Sequence, residues 1–301
     1  MNERQRARNV KLSAEPLVPA GPVSGFVGGT ADSIRGVWRY RELLDLLVRR
    51  ELKSRYKDSA LGFLWSLIRP LTQLLVYYIA IGKFLGAERS IPDFAIYIFT
   101  GLTAWALFAE IVSSGTGSIV ANGGLVKKIY LPREVFPLSV IGSASFNFVI
   151  QFGILFVATL FAGYPPTLIG LGYVGLGTVV LLVYATAAAF LLSAINVYLR
   201  DIQYLVEVVL MVGFWLSPIV YAWSFVASSV QSQLINALYL ANPVTLAVLA
   251  FQRGMWVAGA GQPQPSALGV RLLIALAIGI PILWFCQRIF ARLQNNFAQE
   301  L

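Results

Sequence analysis

Residues 168–198 read Leu-Ile-Gly-Leu-Gly-Tyr-Val-Gly-Leu-Gly-Thr-Val-Val-Leu-Leu-Val-Tyr-Ala-Thr-Ala-Ala-Ala-Phe-Leu-Leu-Ser-Ala-Ile-Asn-Val-Tyr, a run with neither proline nor charge. Crossing a hydrocarbon core of about 30 Å takes about 20 helical residues. This stretch exceeds that and offers no polar stripe to water, so it reads as a transmembrane helix, long enough to tilt or to project beyond the bilayer. Working outward, residues 135–162 form an equally apolar segment, and only 163–167 separate the two, which makes them a tight helical hairpin. Residues 60–82 and 94–117 precede this hairpin, and 204–223 and 267–289 follow it. The expectation is an all-α integral membrane protein with six transmembrane helices.

Composition agrees. Of 301 residues, 57% are hydrophobic and only 12% are charged, where soluble domains devote about a quarter to charge. The first long apolar run begins near Leu61, too late for a cleaved leader, so the first span is expected to stay in the protein. There is no histidine and one cysteine, Cys286, in an apolar run. That excludes disulfides, Cys/His metal sites and Ser-His or Cys-His nucleophile pairs, and leaves Cys286 as a packing residue. The net charge of +9 does not call for nucleic acid, because basic residues at the cytoplasmic ends of spans face anionic lipid headgroups.

The segment before the first span divides in two. Residues 1–36 are polar and rich in Pro and Gly, and read as a disordered cytoplasmic tail. Across residues 37–58, Tyr40, Leu43, Leu44, Leu47 and Val48 share one face while Arg49, Lys53 and Lys57 step along another. This is an amphipathic helix for the membrane interface, and residues 59–301 form the transmembrane domain. Orientation follows from the basic residues, eighteen on the side of the N-terminus against four on the other. Both termini are therefore expected in the cytoplasm.

The connection over residues 224–266 is apolar for an external loop and is broken by Asn242-Pro243. A single helix does not continue cleanly through that proline. Two short re-entrant helices between spans five and six fit better than a seventh span, which would place the C-terminal tail outside.

Four stretches now acquire a shared meaning. They are Arg55-Tyr56-Lys57-Asp58-Ser59-Ala60-Leu61-Gly62-Phe63-Leu64-Trp65 with Arg69-Pro70-Leu71, the run from Ala121 to Glu134, Asn196-Val197-Tyr198-Leu199-Arg200-Asp201-Ile202, and Ser217-Pro218-Ile219-Val220-Tyr221 with Asn242-Pro243 behind it. In this order and layout the chain resembles ABC-2 type permeases that export polysaccharides, including those for O-antigen and wall teichoic acid. The resemblance covers about residue 37 to the C-terminus. It implies a homodimer that binds two copies of a separate cytoplasmic ATPase and moves a polyprenyl-linked glycan. The chain has no G-x-x-x-x-G-K-[ST] phosphate loop, so ATP and Mg would be held by the partner ATPase, and no cofactor by this chain.

The resemblance also suggests roles. Asn122, Lys127 and Lys128 lie where a coupling helix would meet the ATPase, although a basic turn obeying the charge rule looks the same in sequence. Aromatic rings line the glycan route in the family. Trp65, Arg69, Gln73 and Tyr77 recur every fourth residue in the first span, a stripe more polar than lipid favours, and Phe214, Trp215 and Tyr221 share a broad face of the fifth. Arg49, Lys53 and Lys57 are candidates for the pyrophosphate of the carrier or for anionic phospholipid. Glu207, near Arg200 and Asp201, suggests a gating or structural ion pair, and Glu110 a bond to a neighbouring span. Two rivals remain: an ABC-2 exporter of drugs or lipids, and a membrane glycosyltransferase, which would need an acidic cluster that is missing here. The Arg-rich, Lys-poor balance, seventeen to six, tilts the polymer toward a galactan over O-antigen or teichoic acid types.

Overall fold

The computed structural model describes residues 28–56, 64–128, 131–229 and 232–301. Among them there is helix and loop but no strand. The helices are α1 (Gly28–Arg39), α2 (Arg41–Tyr56), α3 (Trp65–Tyr77), α4 (Phe94–Ala121), α5 (Gly123–Lys128), α6 (Val135–Phe161) and α7 (Leu168–Tyr198). They continue as α8 (Ile202–Trp215), α9 (Trp223–Ser229), α10 (Gln233–Ala241), α11 (Pro243–Met255), α12 (Leu268–Leu293) and α13 (Phe297–Glu300).

Four helical stretches are long and apolar enough to cross a bilayer: α4, α6, α7 and Leu268–Glu300, or five if the bent pair α10–α11 counts as one. The first three coincide with expected segments to within four residues, and the last begins one residue after the expected 267 but runs eleven past 289. The other two take a different form. The first span is 13 residues of α-helix followed by seven of π-helix, Tyr78–Phe84. Pro70, inside α3, contributes no N–H to the helical ladder. The fifth segment, read as 204–223, is a 14-residue helix that stops at Trp215, giving about 21 Å of rise. Its end is set by Ser217-Pro218, where the residue before proline disfavours helical backbone.

Helix α7 is the hub, packing along α4, α11 and α12. It starts on Thr167, whose Oγ1 accepts from the Gly170 N–H at 3.0 Å. Small residues let its neighbours approach: a Cβ at Gly177 would lie 3.1 Å from that of Ala250, and one at Gly170 only 2.8 Å from the Gly254 carbonyl oxygen. Between membrane helices, where lipid is as apolar as leucine, such contact supplies the packing energy.

The break at Asn242-Pro243 is real. The α10 and α11 axes meet at 80°, Asn242 Oδ1 accepts from the Val244 N–H at 3.0 Å, and Pro243 opens α11. Helix α11 is buried over most of its length in the interior of the bundle. At this end of the molecule the Tyr97 hydroxyl donates to the Tyr221 carbonyl at 2.6 Å and lies 3.0 Å from the Pro218 carbonyl, to which Gln252 donates at 2.6 Å.

The opposite end carries the basic helices. Leu47 of α2 joins Ile119, Val126, Phe136, Phe190, Phe290 and Phe297 in one apolar cluster. Helix α1 occupies part of the stretch read as a disordered tail, being helical from Gly28 onward; residues 1–27 lie outside the described residues. It docks on α12 through Arg288, which donates to the Gly29 carbonyl at 3.1 Å, and Gln287, which donates to Ser33 Oγ at 3.1 Å.

Candidate functional site: a polar cavity between α3, α4 and α6

A cavity of about 660 Å³ opens between α3, α4 and α6 and reaches Glu51 of α2. Helix periodicity builds each wall. Trp65, Arg69 and Gln73 follow one another at four-residue spacing along α3, as the sequence stripe required, and all three line the cavity. Ala106, Glu110 and Ser114 repeat that spacing on α4, and Asn147 and Gln151 on α6. Polar side chains thus face one space from three helices that are otherwise strongly apolar, where a lipid-facing amide would cost free energy. Trp65 is half exposed, with its ring available at the wall.

Glu110 does bond to a neighbouring span: Asn147 Nδ2 donates to its Oε1 at 2.8 Å. Asn147 is 8% exposed, and its Oδ1 has no protein hydrogen-bond partner among the described residues. The wall residues Asn147, Gln151, Ser113 and Ser114 were not singled out from sequence. The available signal was Asn147 and Gln151 four apart in a 27-residue apolar helix.

The other stripe residues go elsewhere. Tyr77 stacks on Phe214 with ring centroids 5.6 Å apart, and Phe214 meets Trp105 and Trp215 edge-on at 5.8 and 5.7 Å. Tyr221 donates to the Trp215 carbonyl at 2.8 Å and its hydroxyl lies 3.3 Å from that of Tyr239. The structure therefore separates the seven aromatic and polar candidates into a cavity-lining trio, a packed ring cluster and a hydrogen-bonded turn.

At the basic end, α5 carries Lys127 and Lys128, both exposed, while Val126 between them and α4 is buried. Asn122 anchors the turn: it donates to the Ser118 carbonyl at 2.8 Å and accepts from Arg50 of α2. Residues 129–130 lie outside the described residues. Arg49 pairs with Asp45 at 2.8 Å, both exposed, and Lys53 is exposed one turn on. Lys57 lies outside the described residues, as does most of the motif at 55–65. Arg200, Asp201 and Glu207 are exposed, and among the described residues no ion pair joins them to one another.

Comparison with known proteins places this architecture. The chain is 31% identical over 272 residues to the O-antigen export system permease protein RfbA of Myxococcus xanthus, an alignment spanning 89% of this chain and 98% of that protein. A protein of the same name from Klebsiella pneumoniae is 28% identical over 276 residues, covering 89% of this chain and all of the relative. The polysialic acid transport protein KpsM of Escherichia coli is 31% identical, but over only 84 residues, 27% of this chain. Residues 42–256, from the second residue of α2 through α11 to Trp256, match the model of the ABC-2 type transporter. With more than half the chain matched and near full-length relatives on either side of 30% identity, this protein belongs to the ABC-2 type transporter family.

Proposed function

We propose that this chain is the permease subunit of an exporter that carries a polyprenyl-pyrophosphate-linked cell-envelope polysaccharide, of galactan, O-antigen or teichoic acid type, across the bacterial cytoplasmic membrane. The observation that carries this reading is the cavity. A wall of amides, hydroxyls and a tryptophan ring suits hydroxyl-rich sugars, which present both hydrogen-bonding groups and C–H faces. A drug or lipid exporter would be served better by an apolar pocket. The names of the full-length relatives point the same way.

In this reading the chain crosses the membrane six times with both termini cytoplasmic, the π-ended α3 and the short α8 completing the count. It forms a homodimer. Helix α3 has no buried residue and α8 only two, so both have faces free for a second copy. Arg200, Asp201 and Glu207 at the start of α8 would then be gating groups. Helix α5, with Asn122, Lys127 and Lys128, meets a cytoplasmic ATPase that binds ATP and Mg, and Arg49 and Lys53 attract the carrier pyrophosphate or anionic lipid.

Depletion of the permease tests the function. Cells lacking it should accumulate a lipid-linked glycan inside and lose the polymer from their surface, with both restored by re-expression. Unchanged surface glycan would overturn the reading, and loss of efflux of a small apolar compound instead would favour the drug-exporter alternative.

A further inference from the structure

Helix α1 presents three different sectors around its circumference. We propose that α1 is a membrane anchor, lying at the boundary of the phospholipid leaflet with Ile34 and Trp38 inserted among the acyl chains. This goes beyond the export reading and does not depend on which substrate is moved.

At about 100° per residue, the order around α1 is Gly36, Ser33, Thr30, Ile34, Trp38, Arg35 and Arg39. The first three hold the helix to the bundle. Gly36 lies against Pro132, whose Cγ would be 3.5 Å from an added Cβ. Ser33 Oγ donates to Glu134 at 3.3 Å and accepts from Gln287 at 3.1 Å. Arg288 reaches the same hydroxyl at 3.3 Å, and both Glu134 and Arg288 are buried. Thr30 Oγ1 accepts from the Trp284 indole N–H at 3.0 Å.

Depth follows from these contacts. Trp284 lies in the last turns of the segment read as a span, 267–289, where a tryptophan marks the level at which hydrocarbon gives way to headgroups. Its neighbours Ile280, Ile282 and Phe285 are exposed, as a lipid-facing side of α12 requires. Thr30 faces that flank, and Ile34 and Trp38 come next around α1. They are 65% and 69% exposed and one turn apart, so they extend the apolar side of α12. Arg35 and Arg39, also exposed, form the next sector, and Arg41 of α2 lies over the Trp38 ring with its Cζ 5.5 Å from the centroid. Long basic side chains reach phosphates while the neighbouring rings stay in the apolar layer. This is the order of an interfacial helix, apolar toward the acyl chains and basic toward the headgroups. A soluble partner would have to cover two apolar side chains on the very flank where lipid meets α12.

The test uses the full permease–ATPase complex in nanodiscs of phosphatidylethanolamine and phosphatidylglycerol, with Cys286→Ala removing the native thiol. Nitroxides on Ile34→Cys, Trp38→Cys and Arg39→Cys are compared for collision with oxygen, which concentrates in hydrocarbon, and with a neutral nickel chelate, which stays in water. The oxygen-to-nickel ratio should be about fivefold higher at 34 and 38 than at 39. Equal ratios overturn the anchor. Exclusion of both reagents from 34 and 38 also overturns it, by showing that protein covers this face. A second measurement needs no cysteine. The fluorescence lost in Trp38→Phe isolates this ring from the other tryptophans, and brominated phospholipid should quench that difference by about half. A difference signal untouched by brominated lipid overturns the anchor, whatever the cysteine variants do.

Discussion

Asn147 of α6 donates to Glu110 of α4 at 2.8 Å, a bond that joins polar residues of two separate apolar helices in one cavity wall. Between membrane helices such a bond is worth about 1 kcal/mol. Asn147→Leu should therefore lower the melting temperature of the purified permease, whereas Asn147→Gln, which keeps the amide, should cost less. Equal melting of wild type and the leucine variant would show the bond to be energetically idle.

The cavity trio and Tyr221, which lies outside the cavity, should behave differently. Trp65→Ala removes a half-exposed ring and should reduce export roughly two- to tenfold, the effect of losing a ring contact of about 0.5–1.5 kcal/mol, at normal permease abundance. Tyr221→Phe removes the hydroxyl bonded to the Trp215 carbonyl and should lower stability before it lowers export per folded molecule. Surface glycan normalised to permease in the membrane separates the two; the reverse ranking would move the route away from the cavity.

Charge reversal of Lys127 and Lys128 should weaken association with the ATPase while the permease inserts normally, because both side chains are exposed and it is Leu125 and Val126 that pack α5 on the apolar cluster. Co-purification of the two subunits measures this. Full retention of the ATPase by the double variant would place the coupling contact elsewhere.

Helix α7 and α11 touch backbone to backbone where Gly170 meets Gly254. A methyl there has no flexible neighbour to displace, so Gly254→Ala should cost roughly 1–3 kcal/mol by overpacking. Gly172→Ala, with nothing within 4 Å of the added carbon, is the control and should melt like wild type. Loss of expressed protein in the first variant but not the second is the expected result in membranes.

The sequence alone determined the solvent. Residues 168–198 and their neighbours are too long and too apolar for anything but a helix in lipid, and the length of each apolar run placed the starts of four segments to within one residue. It also located the break at Asn242-Pro243, because proline and a capping asparagine act through local backbone chemistry. In the same way it made Trp65, Arg69 and Gln73 one row, since that follows from a period of 3.6. What faces that row was a tertiary outcome. Glu110, Asn147 and Gln151 sit on helices whose rotation about their own axes is set by small-residue contacts such as Gly115 against Ala189, and no periodicity within one helix reports the rotation of another. The same reason separates Tyr77 and Tyr221 from the cavity. The π-turn that follows Tyr77 and the Ser217-Pro218 turn redirect the chain, and the rings meet whatever helix is then beside them, Phe214 of α8 for one and Tyr239 of α10 for the other.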